Sequence, residues 1–359
     1  MTSGTANGID PQSHNNFDLV RTVLALMVLL SHSATLSAAP EIAWFRSVFD
    51  SDFAIKGFFA ISGFLVMKSL NSSHSLLEFA EKRARRIYPA YISAIVLCFL
   101  IGLAMTSRDI IAFLSDGQTW RYLAVNSIFL NFLEHSLPGV FEDNPTSELN
   151  GSLWTIKVEV ALYAGLPIVA FFFRWWGVAV TGALISVASI LWVYLFGYWY
   201  EGGIGSLLAH QFPGQAVYFI AGACLQLRPQ WRRALPWIAA ISLLPYLFSR
   251  NTIFEPVLEP VFVVSSIIFI SDRALPALHA GRFGDLSYGI YLYHFPIIQL
   301  LVALGVFGLS PWLGLAATLF ITVVLAFLSW HFIEARVLKR SSHYVMESRR
   351  GFGEGRNTP

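Results

Sequence analysis

An arginine and a histidine lie eleven residues apart in the first apolar stretch of the chain. Arg21 and His32 both fall within residues 17–37, which read FDLVRTVLALMVLLSHSATLS. Because an α-helix turns every 3.6 residues and rises 1.5 Å per residue, this spacing places both side chains on one face, about 16 Å apart. Ionisable groups are costly inside a bilayer, so they usually face the protein interior and mark functional paths. The pair predicts a polar line along one helix, with an imidazole that can act as a general base.

A simpler interpretation of the same pair needs no chemistry. Arg21 can extend its charged head to the lipid headgroups, and His32 can make a polar contact between two helices. A carboxylate elsewhere in the chain, Glu159 in SLWTIKVEVALY, favours the chemical interpretation. Counting residues from the helix ends places Glu159 at the height of His32, where it would hold the imidazole in one tautomer. Alternatively, Glu159 pairs with Lys157 or with a neighbouring arginine.

The composition of the chain is that of a polytopic membrane protein. Its 359 residues are 55% hydrophobic and only 13% charged, against about 25% charged in soluble domains, and the mean hydropathy is +0.59. Cys98 and Cys224 lie in apolar runs and are expected to be small buried hydrophobes, not a disulfide or metal pair. The sequence contains no glycine-rich phosphate loop, CxxC or HExxH motif. We therefore expect no bound cofactor, no metal site and no nucleic-acid partner.

The apolar runs predict an all-α fold, a bundle of about ten transmembrane helices. Runs of about 20 apolar residues are long enough to cross the hydrocarbon core. The predicted spans are residues 17–37, 53–70, 87–105, 151–173, 177–198, 214–227, 234–248, 253–271, 284–305 and 311–333.

The positions of basic residues predict the orientation of these spans. The cluster EKRARRIYP lies between the second and third spans, and short loops rich in lysine and arginine stay in the cytoplasm. This places both termini in the cytoplasm, with residues 1–16 a polar N-terminal segment, residues 17–338 the transmembrane domain and residues 339–359 a flexible tail. Residues 107–151 then form an acidic extracytoplasmic segment, in which residues 120–132 are expected to form an interfacial or re-entrant helix.

Two arginines in the basic cluster share one helix face. Arg83 and Arg86 are three residues apart, so their guanidinium groups can together bind a phosphate. Arg21 is expected at the same depth and can join them. The alternative is that the cluster only sets the topology and contacts anionic lipid.

Other polar residues in the same motifs are candidates for lining a cavity. His294 lies in LSYGIYLYHFP, two residues before Pro296. It is either a second polar wall of the cavity or a structural histidine with satisfied hydrogen bonds. The further cavity candidates are Asp18, Tyr163 and Tyr291.

Six motifs in this order resemble the acyltransferase-3 family of integral-membrane O-acyltransferases. They are FDLVR followed by His32, then FFAISGFL, RARRIYP, GSLWTIKVEVALY, LSYGIYLYHFP and the closing FIE. The family's arginine-x10-histidine motif matches Arg21 and His32, and its RxxR motif matches Arg83 and Arg86. The chain departs from the family where Ala335, not proline, follows Glu334. It also lacks the extracytoplasmic hydrolase-like domain of many members, which leaves open whether a partner protein delivers the acyl group.

The resemblance implies an enzyme of the bacterial inner membrane. An acyl-CoA donor, with acetyl as the expected acyl group, would bind its phosphates to Arg83, Arg86 and Arg21. Its acyl group would pass through the bundle to His32, which acts as a general base or is transiently acylated, with Glu159 orienting it. The acceptor would be a sugar hydroxyl of a glycan or lipid-linked saccharide, shaped in part by residues 107–151. The alternative function is a transporter or flippase of a glycan intermediate.

Overall fold

The computed structural model describes residues 16–200, 203–274 and 284–338. All regular elements in these ranges are helical, and we number the α-helices in chain order. They are α1 (Phe17–Ser37), α2 (Phe45–Val48), α3 (Ser51–Asn71), α4 (Leu76–Met105), α5 (Ile110–Ser115), α6 (Gly117–Ser127), α7 (Leu153–Trp175), α8 (Val178–Tyr194), α9 (Gly203–Ala209), α10 (Phe212–Leu227), α11 (Leu235–Ser249), α12 (Glu255–Phe269), α13 (Leu286–Ala303), α14 (Val306–Leu309), α15 (Pro311–Ser329) and α16 (Ala335–Val337).

The first two long helices run antiparallel and define the two ends of the bundle. The rings of Phe17 and Phe64 stack with centroids 5.0 Å apart, and Leu24 lies against Gly57. We call the end that holds Arg21 and the α3–α4 connection, residues 72–75, the arginine end. The opposite end, which holds the C-terminus of α1 and residues 106–152, is the loop end. The positive-inside rule predicts that the arginine end is cytoplasmic.

The basic cluster lies on the first turns of α4, whose start is capped by Ser75. The Ser75 hydroxyl accepts the Glu78 N–H at 3.1 Å, and the Glu78 carboxylate accepts the His74 N–H at 2.8 Å. The Glu78 N–H is one of the backbone donors that every helix start leaves unpaired, and the second bond ties the Glu78 side chain to the residue before the cap. The helix therefore begins eleven residues before the predicted span and carries Arg83 and Arg86 in regular geometry.

Small residues allow α3 and α10 to pack backbone against backbone. A Cβ added at Gly63 would lie 1.8 Å from the Phe219 carbonyl oxygen, and one at Gly222 would lie 2.1 Å from the Ala60 carbonyl oxygen. Such close approach is typical of helix pairs in membranes, where packing replaces the hydrophobic drive. Helix α13 packs between α1 and α15 and also contacts α4, and most of its residues are buried.

Every predicted span coincides with a helix. Seven helical segments of the described chain are long and apolar enough to cross a membrane. The helices at the three other predicted spans, α10, α11 and α12, are shorter, with 16, 15 and 15 residues. The all-helical class and the multiple membrane helices are thus confirmed, while the number of ten spans and the orientation of the termini stay predictions. Residues 1–15 and 339–359 lie outside the described residues.

The predicted helix at residues 120–132 is present with different bounds. Helix α6 ends at Ser127, and a 3-10 turn follows at Asn131–Leu133. Two of the acidic residues that were expected to shape an acceptor site have structural roles here. Asp109 and Asp116 cap α5 and α6, because their carboxylates accept the first backbone N–H groups of those helices.

Candidate active site

The imidazole of His32 is hydrogen-bonded to a second imidazole on α13. His32 Nδ1 lies 2.8 Å from His294 Nε2, and His294 Nδ1 lies 2.7 Å from the Tyr291 carbonyl oxygen. His294 is completely buried, whereas His32 is partly exposed. The sequence left two interpretations of His294 open. The structure places this histidine beside His32, as its direct hydrogen-bond partner.

These contacts assign the tautomers of both rings. A carbonyl oxygen only accepts, so His294 Nδ1 carries a proton and donates it to Tyr291. In the neutral ring, His294 Nε2 then has a free lone pair, which accepts the Nδ1–H of His32. The same logic leaves His32 Nε2 without a proton, and this nitrogen makes no hydrogen bond within the described residues. His32 therefore presents a basic, nucleophilic nitrogen that is held in orientation by a neutral partner.

At the arginine end, two arginines share one buried carboxylate. Arg21 donates to Asp285 at 2.6 Å, and Arg86 is hydrogen-bonded to the same oxygen. The Asp285 side chain is 1% exposed. The expectation that Arg21 and Arg86 lie at one depth is thus confirmed. Arg21 and His32 also both face α13 and the residue before it, as their eleven-residue spacing predicted.

Arg86 differs from Arg83 in its surroundings, and phosphate binding by the two arginines stays a prediction. Arg86 also donates to Glu334 at 3.0 Å, so two buried carboxylates surround its guanidinium. Arg83 donates to the Ser69 hydroxyl at 3.1 Å, its Nε is buried without a partner, and it makes no ion pair within the described part of the chain. Arg83 is therefore the arginine of the pair that forms no ion pair with a carboxylate among the described residues.

Local backbone geometry brings Asp285 and Glu334 to this cluster. Gly284 has a φ of +94°, and a Cβ there would lie 2.2 Å from Trp330 Nε1. Only glycine adopts this conformation and admits the indole so closely. Trp330 starts a π-helical turn, Trp330–Glu334, which follows α15 and carries Glu334 at its end. Such turns recur at functional sites, because they change the direction in which a side chain points.

The predicted contact between Glu159 and His32 is wrong. Glu159 accepts a hydrogen bond from the Ser62 hydroxyl at 2.6 Å and another from Tyr163. The Phe17–Phe64 and Leu24–Gly57 contacts set the antiparallel register of α1 and α3. In this register Ser62 lies near the level of Leu19, close to Arg21. Glu159 is therefore at the arginine end, more than three turns from His32.

Glu159 does not pair with Lys157 either. Lys157 Nζ lies 4.9 Å from the centre of the Phe132 ring, and no ion pair joins Lys157 to Glu159 among the described residues. Glu159 instead shares a small cavity with three arginines, as described next.

Two small cavities lie beside the arginine cluster, and neither His32 nor His294 lines them. The lower one, of about 30 Å³, is lined by Arg83, Arg86 and Tyr163, and the upper one, of about 40 Å³, by Thr155 and Tyr291. Both are also lined by Arg21, Glu159 and Tyr288. The upper cavity ends at Tyr291, whose backbone carbonyl anchors His294. Of the further candidates, Tyr163 and Tyr291 line this polar seam, whereas Asp18 lies in the first turn of α1 and lines neither cavity.

Asp285 and Ser62 are among the residues of the site that the sequence analysis did not predict. Asp285 directly precedes LSYGIYLYHFP, and it is also the N-cap of α13. An acidic residue directly before that motif was the sequence feature that could have indicated it. Ser62, which binds Glu159, lies within FFAISGFL beside the glycine of the α3–α10 contact. The described residues contain no group of three or more His, Cys, Asp or Glu side chains that could hold a metal ion.

Comparison with known proteins gives matches that cover most of the chain. A family profile described as an acyltransferase domain matches residues 14–331. An O-acetyl transferase of Shigella phage Sf6 is 31% identical, with 91% of this chain and 97% of that protein aligned. Nodulation protein 10 of Rhizobium leguminosarum bv. viciae is 27% identical, with 95% and 98% aligned.

A more distant relative is longer than this chain. The O-acetyltransferase OatA of Staphylococcus aureus is 24% identical and aligns with 79% of this chain but with only 52% of its own length. No solved structure matches the chain.

Proposed function

This chain belongs to the acyltransferase-3 family and is an O-acyltransferase, and from this premise we propose that it acylates a glycan with a cytoplasmic acyl-CoA. The acceptor is a sugar hydroxyl of a cell-surface or exported glycan, the acyl group is acetyl, and the membrane is the bacterial inner membrane. The observation that carries the proposal is the His32–His294 pair, which leaves an unprotonated Nε2 on a partly exposed imidazole.

The reaction at His32 needs one proton acceptor and one polarised thioester. His32 Nε2 takes the proton of the sugar hydroxyl while the oxygen of that hydroxyl attacks the thioester carbon. The C–O bond forms, the C–S bond breaks, and the proton passes to the departing CoA thiolate. In the alternative route, Nε2 attacks the thioester carbon, the C–S bond breaks and CoA leaves as the thiolate. The sugar oxygen then attacks the acyl carbon, the C–N bond to the imidazole breaks, and the proton of the sugar hydroxyl passes to the thiolate. Both routes use the same nitrogen and need the same hydrogen bond to His294.

Donor binding falls to the arginine end in this proposal. Phosphates of the CoA group bind Arg83, whose charge has no carboxylate partner among the described residues. Arg86 and Arg21 offer further N–H donors to the phosphates at a fixed position, because Asp285 holds both. The polar seam through Glu159 and Tyr291 is the path for the pantetheine arm. Since its cavities measure only about 30 and 40 Å³, side chains along it must move apart when the donor enters.

Mass spectrometry of surface glycans tests this function. Glycans are isolated from cells that lack this chain, cells that carry it, and cells that carry the His32→Ala variant at equal membrane abundance. We expect acyl-modified sugars only in the second sample. A transporter or flippase would instead change the amount of surface glycan without changing its acylation, and that result would reject the proposal.

Incubation of the purified protein with acetyl-CoA and no acceptor separates the two routes. The acyl-imidazole route predicts an intact mass increased by one acetyl group, which is absent in His32→Ala. Direct transfer predicts no mass change.

A further inference from the structure

A third cavity lies outside the seam between the arginines and His32, and it is larger than the two cavities of that seam. It measures about 270 Å³ and is enclosed by α3, α8, α9, α10 and α12. This is close to the lower limit for sites that bind small molecules and far above the roughly 30 Å³ that one water occupies. We call it the Lys56 cavity, after the lysine in its wall.

A buried ion cluster forms one wall of the Lys56 cavity. Lys56 donates to Glu259 at 2.6 Å and also binds Asp52. Tyr218 donates its hydroxyl to the same Glu259 oxygen at 2.7 Å. Lysine and glutamate are rarely found so deep in a membrane bundle without a function. These bonds hold the wall rigid and leave the second oxygen of Glu259, Oε1, without a partner among the described residues.

The other polar groups on the cavity wall are mostly unpaired acceptors. Gln215 is 3% exposed, and its Oε1 is buried without any hydrogen bond. His210 donates its Nδ1–H to the Ser206 carbonyl, which leaves Nε2 as an acceptor. Oxygens of Asp52, Glu255 and Glu259 also lack partners within the described ranges. A buried amide oxygen without a partner costs about 1–3 kcal/mol, so this wall is built for a ligand that donates hydrogen bonds.

The cavity lies near the depth of His32. In the register of α1 and α3, Asp52 is level with Leu29, one helical turn from His32. A chain of contacts also joins the two places. The His210 ring contacts Trp154 at the start of α7, with ring centroids 6.2 Å apart. Phe295 packs against the neighbouring turn at Gly151. The ring of Phe295 also contacts the His32 ring, with centroids 5.7 Å apart.

We propose that the Lys56 cavity binds a neutral, hydroxyl-rich sugar unit of the acceptor, next to the unit whose hydroxyl reacts at His32. This rests on the proposed function. Sugar hydroxyls supply the donors that Gln215, His210 and Glu259 lack. Three carboxyl groups face one amine on the wall, so the cavity repels phosphorylated or carboxylated sugars. Acceptor recognition is thereby assigned to α3, α10 and α12, and not to the acidic segment 107–151.

The test combines hydrogen exchange with steady-state kinetics on the full chain in lipid nanodiscs. The probe is a set of oligosaccharides released from the surface polysaccharide of cells that lack this chain. We expect the oligosaccharides to slow amide exchange in residues 203–218, and Gln215→Leu to abolish that protection. The same variant should raise the apparent KM for the oligosaccharide roughly three- to tenfold, the loss of one or two hydrogen bonds, and leave the KM for acetyl-CoA unchanged.

A matched control lies one turn away. Gln211 bonds the Leu207 carbonyl and does not line the cavity, so Gln211→Leu should behave as the wild type. If Gln215→Leu does not fold, the exposed His210→Ala serves in its place. Unchanged acceptor KM and unchanged protection in these variants overturn the proposal, and so does an equal rise in both KM values, which indicates general damage.

The outcomes separate this inference from the proposed function. Protection of residues 203–218 without any acyl transfer by the wild type supports the sugar site and rejects the enzyme proposal. Acyl transfer by the wild type without such protection supports the enzyme and rejects the sugar site.

Discussion

The hydrogen bond from His32 to His294 makes a prediction that depends on no other part of the molecule. His294→Phe keeps a ring of similar size in a completely buried position and removes the acceptor of the His32 Nδ1–H. The imidazole must then leave this N–H unpaired or change its tautomer or orientation. Either change takes the basic Nε2 away from the reacting groups.

The size of the effect follows from the cost of the unpaired N–H. A buried donor without a partner costs about 1–3 kcal/mol. Taking about 2 kcal/mol, the reactive arrangement of His32 becomes the minor state at roughly 3% of molecules. We therefore expect kcat to fall about 30-fold. The KM for acetyl-CoA should not change, because the arginine end lies about 16 Å away along α1.

Rescue distinguishes positioning from mere disruption of the core. In His294→Gln the side-chain amide reaches the position of the imidazole Nε2 and can again accept the His32 Nδ1–H. The assay is transfer from radiolabelled acetyl-CoA to surface polysaccharide by protein reconstituted in liposomes, with amounts normalised to folded protein. We expect His294→Gln to recover most of the lost kcat. A wild-type kcat in His294→Phe, or equal defects in both variants, would refute the reasoning.

Three further substitutions test other parts of the structure. Arg83→Ala should raise the apparent KM for acetyl-CoA about tenfold, with little change in melting temperature, because it removes an arginine without a carboxylate partner. Arg86→Ala should instead destabilise the fold by about 3–5 kcal/mol in denaturant unfolding, since it leaves two buried carboxylates uncompensated; equal stability of both variants contradicts the assigned pairing. Gly63→Ala should prevent accumulation of folded protein in membranes, because its Cβ would overlap a backbone carbonyl, whereas Gly165→Ala, with open space around it, should accumulate normally.

The residues on a single helix were predictable from their spacing. The eleven-residue interval of Arg21 and His32 correctly placed them toward one neighbouring element, because helical periodicity is a local property. Each predicted span likewise overlaps a helix of the structure, since apolar length is also read locally. The six motifs then gave the family without any knowledge of the packing.

Contacts between helices could not be obtained in the same way. The depth of Glu159 was counted from helix ends, which assumes that all helices start at one height. Helix α3 begins about two turns below the end of α1, and Glu159 is hydrogen-bonded to Ser62, which lies toward the arginine end. Asp285, one of the two carboxylate partners of Arg86, was missed for a similar reason. Asp285 precedes its helix, and only the close approach of Gly284 and Trp330 shows where it points.

The most direct test of the account is the activity of His32→Ala in reconstituted liposomes, measured as acetyl transfer from acetyl-CoA to surface polysaccharide. His74→Ala, an exposed histidine in the α3–α4 connection, is the matched control. The account predicts that His74→Ala transfers at the wild-type rate, while His32→Ala is folded, binds acetyl-CoA with unchanged affinity and transfers no acetyl group above background. Transfer by folded His32→Ala at a rate near that of the wild type would contradict the central claim.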